Sequence, residues 1–338
     1  MSDANLFAQQ RANRKRSTVL VTVFLLFFAW VGFGGDLAWY LMSADAGPAT
    51  YRHTIPFVGL LATLAGAGMA LYAWRRGPHE VLWATGAWEM IEPANQRERV
   101  LRNVVEEMAI ASGLPVPTIW IVPDKDPNAF ATGVDERRSH VAVTEGLLQL
   151  LDRDQLQAVV AHEMAHIRNH DVKLMTLLAA LVGVVTLLSD ATHRTARIGA
   201  RIGGGKVRGS KKSRLGIVLL VLWMVTLLVA PIVSRLMALS VSRNREFLAD
   251  AMAAQFTRNP SALAEALRAI EDAHTPTIAI GRGSAHLCIA DPLGRRITHK
   301  QGKLADLLAT HPPMAMRVAR LKAMAFQYDQ TGVIPEHI

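Results

Sequence analysis

Ala158-Val159-Val160-Ala161-His162-Glu163-Met164-Ala165-His166 is apolar except for two histidines and a glutamate in the spacing H-E-x-x-H. On a helix, residues four apart share a face. Both imidazoles can therefore turn toward one metal ion, with Glu163 beside them, where it can take a proton from water at the metal. A helix carrying two merely solvated histidines fits poorly. Leu156, Val159 and Val160 ask for burial, and polar groups buried without partners are costly. His162 and His166 are candidate zinc ligands, and Glu163 is the candidate general base.

A catalytic zinc commonly takes three protein ligands and leaves its fourth position to water. Three residues compete for the third place. His170 continues the i, i+4 series, but three ligands on one straight helix span about 12 Å, against metal bonds of roughly 2 Å. Glu145 stands alone in the sequence. Glu246 lies in Ser242-Arg243-Asn244-Arg245-Glu246-Phe247-Leu248-Ala249-Asp250-Ala251, whose E-x-x-x-D spacing puts Glu246 and Asp250 on one face of a second helix. Glu246 is the expected third ligand of one zinc ion per chain. Asp250 is the expected acceptor for the outward ring N–H of a ligating histidine.

Outside these two segments the chain is apolar and basic. Of its 338 residues 51% are hydrophobic, yet the formal net charge is +9. The basic residues cluster beside apolar runs without interleaved aromatics. That pattern fits a protein of the lipid bilayer with charged flanks and argues against a nucleic-acid partner. Cys288 is the single cysteine, so neither an intrachain disulfide nor a cysteine-based metal site is expected.

Four apolar stretches stand out. Ser17–Leu41 follows Arg11, Arg14, Lys15 and Arg16 and is much longer than the roughly 7–15 residues of a signal-peptide core. It reads as an uncleaved anchor, since a span needs about 20 residues. Ile55–Trp74 is followed by Arg75 and Arg76, and its Gly59, Ala62, Gly66 and Ala70 would let a second helix approach closely. The two form a hairpin whose basic outer ends belong in the cytoplasm, leaving residues 43–54 on the other side. Leu174–Ser189 and Leu215–Ser234, the latter interrupted by Pro231, enclose eight Lys or Arg residues between positions 194 and 214. Full crossing would put that loop outside, and a re-entrant or surface-lying hairpin would keep it cytoplasmic. Both readings stand at this point.

The remainder reads as soluble. An amphipathic helix over residues 95–112 ends at Gly113 and Pro115. Strands follow at Thr118–Val122 and His140–Val143, with residues 128–133 between them. A short helix covers Glu145–Leu151, Asp152 or Asp154 caps the next, and further helices are expected over 242–257, 261–273 and 314–326. The expected architecture is a mainly α membrane protein, with two apolar helical hairpins and a small α+β zincin-like catalytic domain. In chain order it comprises a basic tail (1–16), a first hairpin (17–74), a catalytic segment with the zinc helix (75–173), a second hairpin with a basic loop (174–234) and a further catalytic segment with the third ligand (235–338).

H-E-x-x-H followed at a distance by E-x-x-x-D, with an apolar hairpin between them, resembles the gluzincin membrane peptidases of the HtpX type, relatives of the type I CAAX prenyl proteases. The likeness extends over the Arg-rich start, the paired spans, Asn128-Ala129-Phe130-Ala131, Arg243-Asn244-Arg245-Glu246-Phe247 and His311-Pro312-Pro313. The basic insert at 190–214 departs from it. The resemblance implies that Asn128, Ala129 and Phe130 lie on a strand that pairs with substrate backbone, and that His311 and Arg317 stabilise an oxyanion. It further implies an endopeptidase of the bacterial inner membrane, multi-pass, with its site facing the cytoplasm and membrane proteins, misfolded or damaged, as substrates. The alternatives are a CAAX-type processing protease, a non-proteolytic scaffold with a structural zinc, and a transporter. A structural site needs no base, so Glu163 argues against the scaffold. Spans without charges other than Asp36 argue against an ion path.

Overall fold

The computed structural model describes residues 3–43, 55–178, 244–273, 277–280, 287–290 and 312–334. Apart from residues 174–178, the third and fourth apolar stretches lie outside the described residues, as do the basic insert and His311. The chain divides into two compact units. One comprises residues 1–17, 75–180 and 238–338, and the other residues 18–74 and 181–237.

The first unit is built around the H-E-x-x-H helix. Helices α1 (Asp3–Ser43) and α2 (Phe57–Ala84) each contribute one end to it. Next come β1 (Trp88–Glu89), α3 (Gln96–Ser112), β2 (Thr118–Val122), β3 (Ala129–Asp135), β4 (Arg138–Thr144), α4 (Glu145–Leu150) and α5 (Arg153–Arg168). After a further helical stretch at residues 171–178, the described elements are α6 (Asn244–Thr257), α7 (Pro260–Asp272) and α8 (Met314–Thr331).

The helix boundaries follow from side-chain chemistry. Asn95 caps α3, its side chain accepting from the Glu98 N–H, and Gly113 ends the helix at φ 68°, a conformation glycine adopts without steric cost. Asp152 and Gln155 form a reciprocal capping box that starts α5. From Ala158 to Ala165 every residue of α5 is buried, packed against α3, α6, α7 and β3. The apolar surroundings read from the sequence are thus those of a central core helix.

The sheet order is β1-β2-β4-β3, with β2 parallel to β4 and β3 antiparallel to it. Residues 128–133 lie between the two strands expected from the sequence, and the resemblance implies a strand at Asn128–Phe130; in the structure Ala129–Asp135 forms β3, which joins β4 through a tight turn. There Asp135 accepts from the Arg137 and Arg138 N–H groups and pairs with the Arg138 guanidinium. Phe130, Thr132 and Val134 favour a strand, and the pairing with β4 carries Ala129, Ala131 and Gly133 along with them.

Two helical stretches, Gln10–Leu37 and Phe57–Ala84, are long and apolar enough to cross a membrane, and their residues 18–37 and 57–74 belong to the second unit. Their close approach is made by small residues. A Cβ on Gly32 would meet Ala62, and one on Gly59 or Gly66 would meet Phe33 or Phe28. Asp36, buried, accepts the Gly59 N–H at 2.6 Å in the first turn of α2, where a helix leaves its N–H groups unpaired. Residues 3–16, read as a basic tail, are helical, and the basic cluster is part of α1.

Candidate metal centre

His162 and His166 sit one turn apart on α5, and α6 presents Glu246 to them. His162 Nε2 and His166 Nε2 are 3.2 Å apart. Glu246 Oε2 lies 3.7 Å from His162 Nε2, and its Oε1 lies 3.7 Å from His166 Nε2. An ion with tetrahedral bonds of about 2.0–2.2 Å sets its ligand atoms roughly 3.3–3.6 Å apart. The three side chains therefore fit one metal ion, and the donor set of two imidazoles and a carboxylate suits zinc.

Glu163 is buried beside them, and its Oε1 has no hydrogen-bond partner among the described residues. Burial pushes its carboxyl pKa up. His162 and His166 pull it back in part, and Glu246 adds to the rise. Burial alone would lower the His162 pKa, but Asp250 and Glu246 outweigh it and bring it up to about 9.

The supporting residues divide between the two histidines. Asp250, one turn beyond Glu246 on α6, stands 3.0 Å from His162 Nδ1, where the E-x-x-x-D spacing put it. Asp171 takes the same place for His166, with Oδ2 3.1 Å from Nδ1. Sequence reasoning missed Asp171. The available signal was a carboxylate five residues after the second histidine, just past the end of the helix. Arg245 was missed as well; it is buried, with Nε 3.3 Å from Glu246 Oε1.

His170 is not brought to the centre. Helix α5 ends at Arg168, and His170 adopts φ 58° and reaches Glu136, Nε2 to Oε1 3.7 Å. Glu145 is exposed at the start of α4. Arg317, expected from α8, is fully buried. Its Nη2 lies 3.4 Å from His162 Nε2 and its Nη1 3.8 Å from Glu246 Oε2.

Asn128, Ala129 and Phe130 are fully buried, and the edge of β3 is occupied by the chain itself. Ile289 N–H donates to Ala129 O at 2.9 Å, and Phe130 bridges Cys288 in antiparallel fashion. The Asn128 amide donates to Ala290 O at 3.0 Å. A small cleft, partly open to solvent, is lined by Ala131, Glu163, His166, Glu246 and Cys288 among others.

Peptidase family M48 matches residues 95–325. A Protease HtpX homolog of Caldanaerobacter subterraneus subsp. tengcongensis is 35% identical over 328 residues, covering 96% of this chain and 99% of that one. One from Lactobacillus helveticus is 36% identical over 94% of this chain and 99% of its own. One from Dictyoglomus thermophilum is 39% identical over 75% and 77%. The crystal structure of S. mikatae Ste24p aligns with a TM-score of 0.45 at 17% identity, over 90% of this chain and 66% of that one.

Proposed function

The chain belongs to peptidase family M48 and is a metalloprotease, and we propose that it is a zinc-dependent endopeptidase of a membrane, with His162, His166 and Glu246 as ligands. One observation carries this reading: the three ligand atoms converge within 4.8 Å of one another, with the buried Glu163 next to them.

Zinc bound there supplies Lewis acidity to the scissile carbonyl and lowers the pKa of water toward about 7. Glu163 Oε1 accepts the proton of the attacking water and later passes it to the leaving amine. Asp250 and Asp171 each hold one imidazole in the orientation that points Nε2 inward. Arg317 sets a fixed cation at the edge of the ligand group, suited to stabilise the developing oxyanion. His311 is the second candidate for that task, on the resemblance alone. For a substrate strand to pair with Asn128–Phe130, residues 287–290 must first give up that edge.

The two apolar helices support a location at a lipid bilayer. Val19, Leu26, Trp30, Leu60, Leu61 and Leu64 are exposed on α1 and α2, a face suited to lipid. The flanking Arg11–Arg16 and Arg75–Arg76 direct the catalytic unit to the cytoplasmic side of a bacterial inner membrane. Misfolded or damaged membrane proteins are the substrates this arrangement suits.

The test is cleavage of casein and of a destabilised membrane protein by the purified full chain, with and without a chelator, beside Glu163→Gln. Hydrolysis lost on chelation, restored by zinc and absent in Glu163→Gln is the expected result. Hydrolysis indifferent to both would overturn the reading.

A further inference from the structure

The helix that carries the first apolar span begins inside the metal centre's support. Asn13, on the amino-terminal part of α1, is buried, and its side-chain amide donates to Asp171 Oδ1 at 2.6 Å. The other oxygen of the same carboxylate, Oδ2, faces His166 Nδ1 at 3.1 Å. The Asn13 amide also donates to Asn169 O at 2.9 Å, and Gln10, one turn earlier, donates to Arg168 O at 2.8 Å. Arg168 and Asn169 are the last residue and the C-cap of α5. Their carbonyls are among those a helix end leaves without partners of its own.

We propose that Asn13 is a positioning residue for the metal centre: it fixes the Asp171 carboxylate and, through it, the ring of His166. The residue type suits the task. An amide donates a hydrogen bond without carrying charge, so Asp171 keeps its full negative charge for the imidazole N–H. A lysine or arginine would share that charge. An aspartate of the same shape would repel it and could not donate. Gln10 and Asn13 together pin the turn at residues 168–171, the place where the H-E-x-x-H helix ends and Asp171 must be aimed. In consequence, the amino-terminal residues, which in sequence read only as a basic tail, contribute to metal affinity.

The inference rests on His166 being a metal ligand, and the test separates the two. Zinc affinity of the full-length, detergent-solubilised protein is measured by competition with a chelator, and the cobalt-substituted protein is followed by its visible spectrum. Asp171→Ala should weaken zinc binding by about 10- to 100-fold, as losses of such partners do. Asn13→Ala should weaken it by about 10-fold, the lower end of that range, and Asn13→Asp by more, although Asp matches Asn in shape. Both should alter the cobalt spectrum. Gln10→Ala breaks the neighbouring bond to Arg168 but leaves the bond to Asp171, and should weaken zinc binding less than Asn13→Ala does.

The decisive comparison is the double variant. If Asn13 acts through Asp171, adding Asn13→Ala to Asp171→Ala should weaken zinc binding no further, because the two belong to one chain of contacts. Unchanged zinc affinity in Asn13→Ala, or losses that simply add in the double variant, would overturn the inference. A His166→Ala protein that binds zinc as tightly as the parent would instead sink the ligand assignment beneath it.

Discussion

Arg317 holds Asp250 with two nitrogens: Nε lies 2.9 Å from Oδ2 and Nη2 lies 2.7 Å from Oδ1, both side chains buried. Its Nη1 donates to Ile289 O at 2.9 Å. Burial alone would raise the Asp250 pKa, but Arg317 and His162 outweigh it and hold the carboxyl below its usual value. Helix α8 thus clamps the carboxylate that faces His162, and the planar guanidinium fork supplies what a lysine cannot.

Breaking one side of this pair should be costly. Arg317→Met leaves a buried carboxylate without its guanidinium, only His162 remaining beside it, and should destabilise the protein by up to about 3–5 kcal/mol. Adding Asp250→Asn should recover much of that loss, since the stranded charge goes with it. Chemical denaturation of the metal-free proteins is the measurement. An Arg317→Met protein as stable as the parent would mean that the pair is not buried in solution.

Glu163→Gln keeps the shape of the base and removes its ability to take a proton. Peptide hydrolysis should fall by at least about 100-fold, the lower bound for loss of a positioned acid–base group, while zinc stays bound at one per chain. Zinc lost along with activity would assign Glu163 a coordinating role.

Replacing the ligand and the bystander should give opposite results. Glu246→Ala should lose its zinc on dialysis, whereas His170→Ala should keep most of it, since His170 faces Glu136. Asp250→Ala should bind zinc about 10- to 100-fold more weakly. Elemental analysis after dialysis reads all three.

What could be read from the sequence was whatever repeats with helical spacing. H-E-x-x-H and E-x-x-x-D each place their polar residues on one helix face, so His162, His166, Glu246 and Asp250 were legible before any fold was known. His170 was set aside on reach along a straight helix. In the structure it is excluded because the helix stops at Arg168 and the chain turns away. Arg317 was implied by the resemblance alone, and the packing of α8 shows how its guanidinium is buried against Asp250 on α6. Asn13 and Asp171 are 158 positions apart in the chain. No local spacing announces a pair joined by tertiary packing alone. Strand β3 was implied only by the resemblance, at Asn128–Phe130, because Ala129, Ala131 and Gly133 interrupt the strand-favouring Phe130, Thr132 and Val134, and its pairing with β4 decides the outcome.

Asp124 ties residues 277–279 to the loop before β3. Its Oδ2 accepts from Thr277 Oγ1 at 3.0 Å, Ile278 N at 2.9 Å and Ala279 N at 2.7 Å. Burial by itself would raise its pKa, but these donors and the Asp126 N–H outweigh it, so the folded-state pKa is depressed. The stabilisation it brings is therefore fully present above the unfolded-state value of about 3.9, and it is lost as pH falls below that through the folded value. Hydrogen-exchange protection at Ile278 and Ala279 should hold at pH 6 and fade below about pH 4. In Asp124→Asn it should be weak at both. Protection unchanged across that range in the parent protein would show that the carboxylate does not hold this segment.

The last prediction concerns sidedness, tested with single cysteines in a Cys288→Ala background. Residues 8, 125 and 255 belong to one compact unit, and a packed unit cannot straddle a bilayer. On the proposed orientation, in which the basic flanks at Arg11–Arg16 and Arg75–Arg76 stay inside, that unit faces the cytoplasm. Cysteines at all three positions should therefore react only after the membrane is permeabilised or inverted. A cysteine at residue 205, within the basic insert, reads the second hairpin. Labelling from outside, the result we expect, means two full spans, with orientation already set by the first hairpin. Protection there would mean a re-entrant or interfacial hairpin, its basic residues held at anionic headgroups by about 1 kcal/mol each. Residues 125 and 255 found on opposite sides would be the more serious result. His162 and His166 could then not share an ion with Glu246, and the metal centre itself would have to be abandoned.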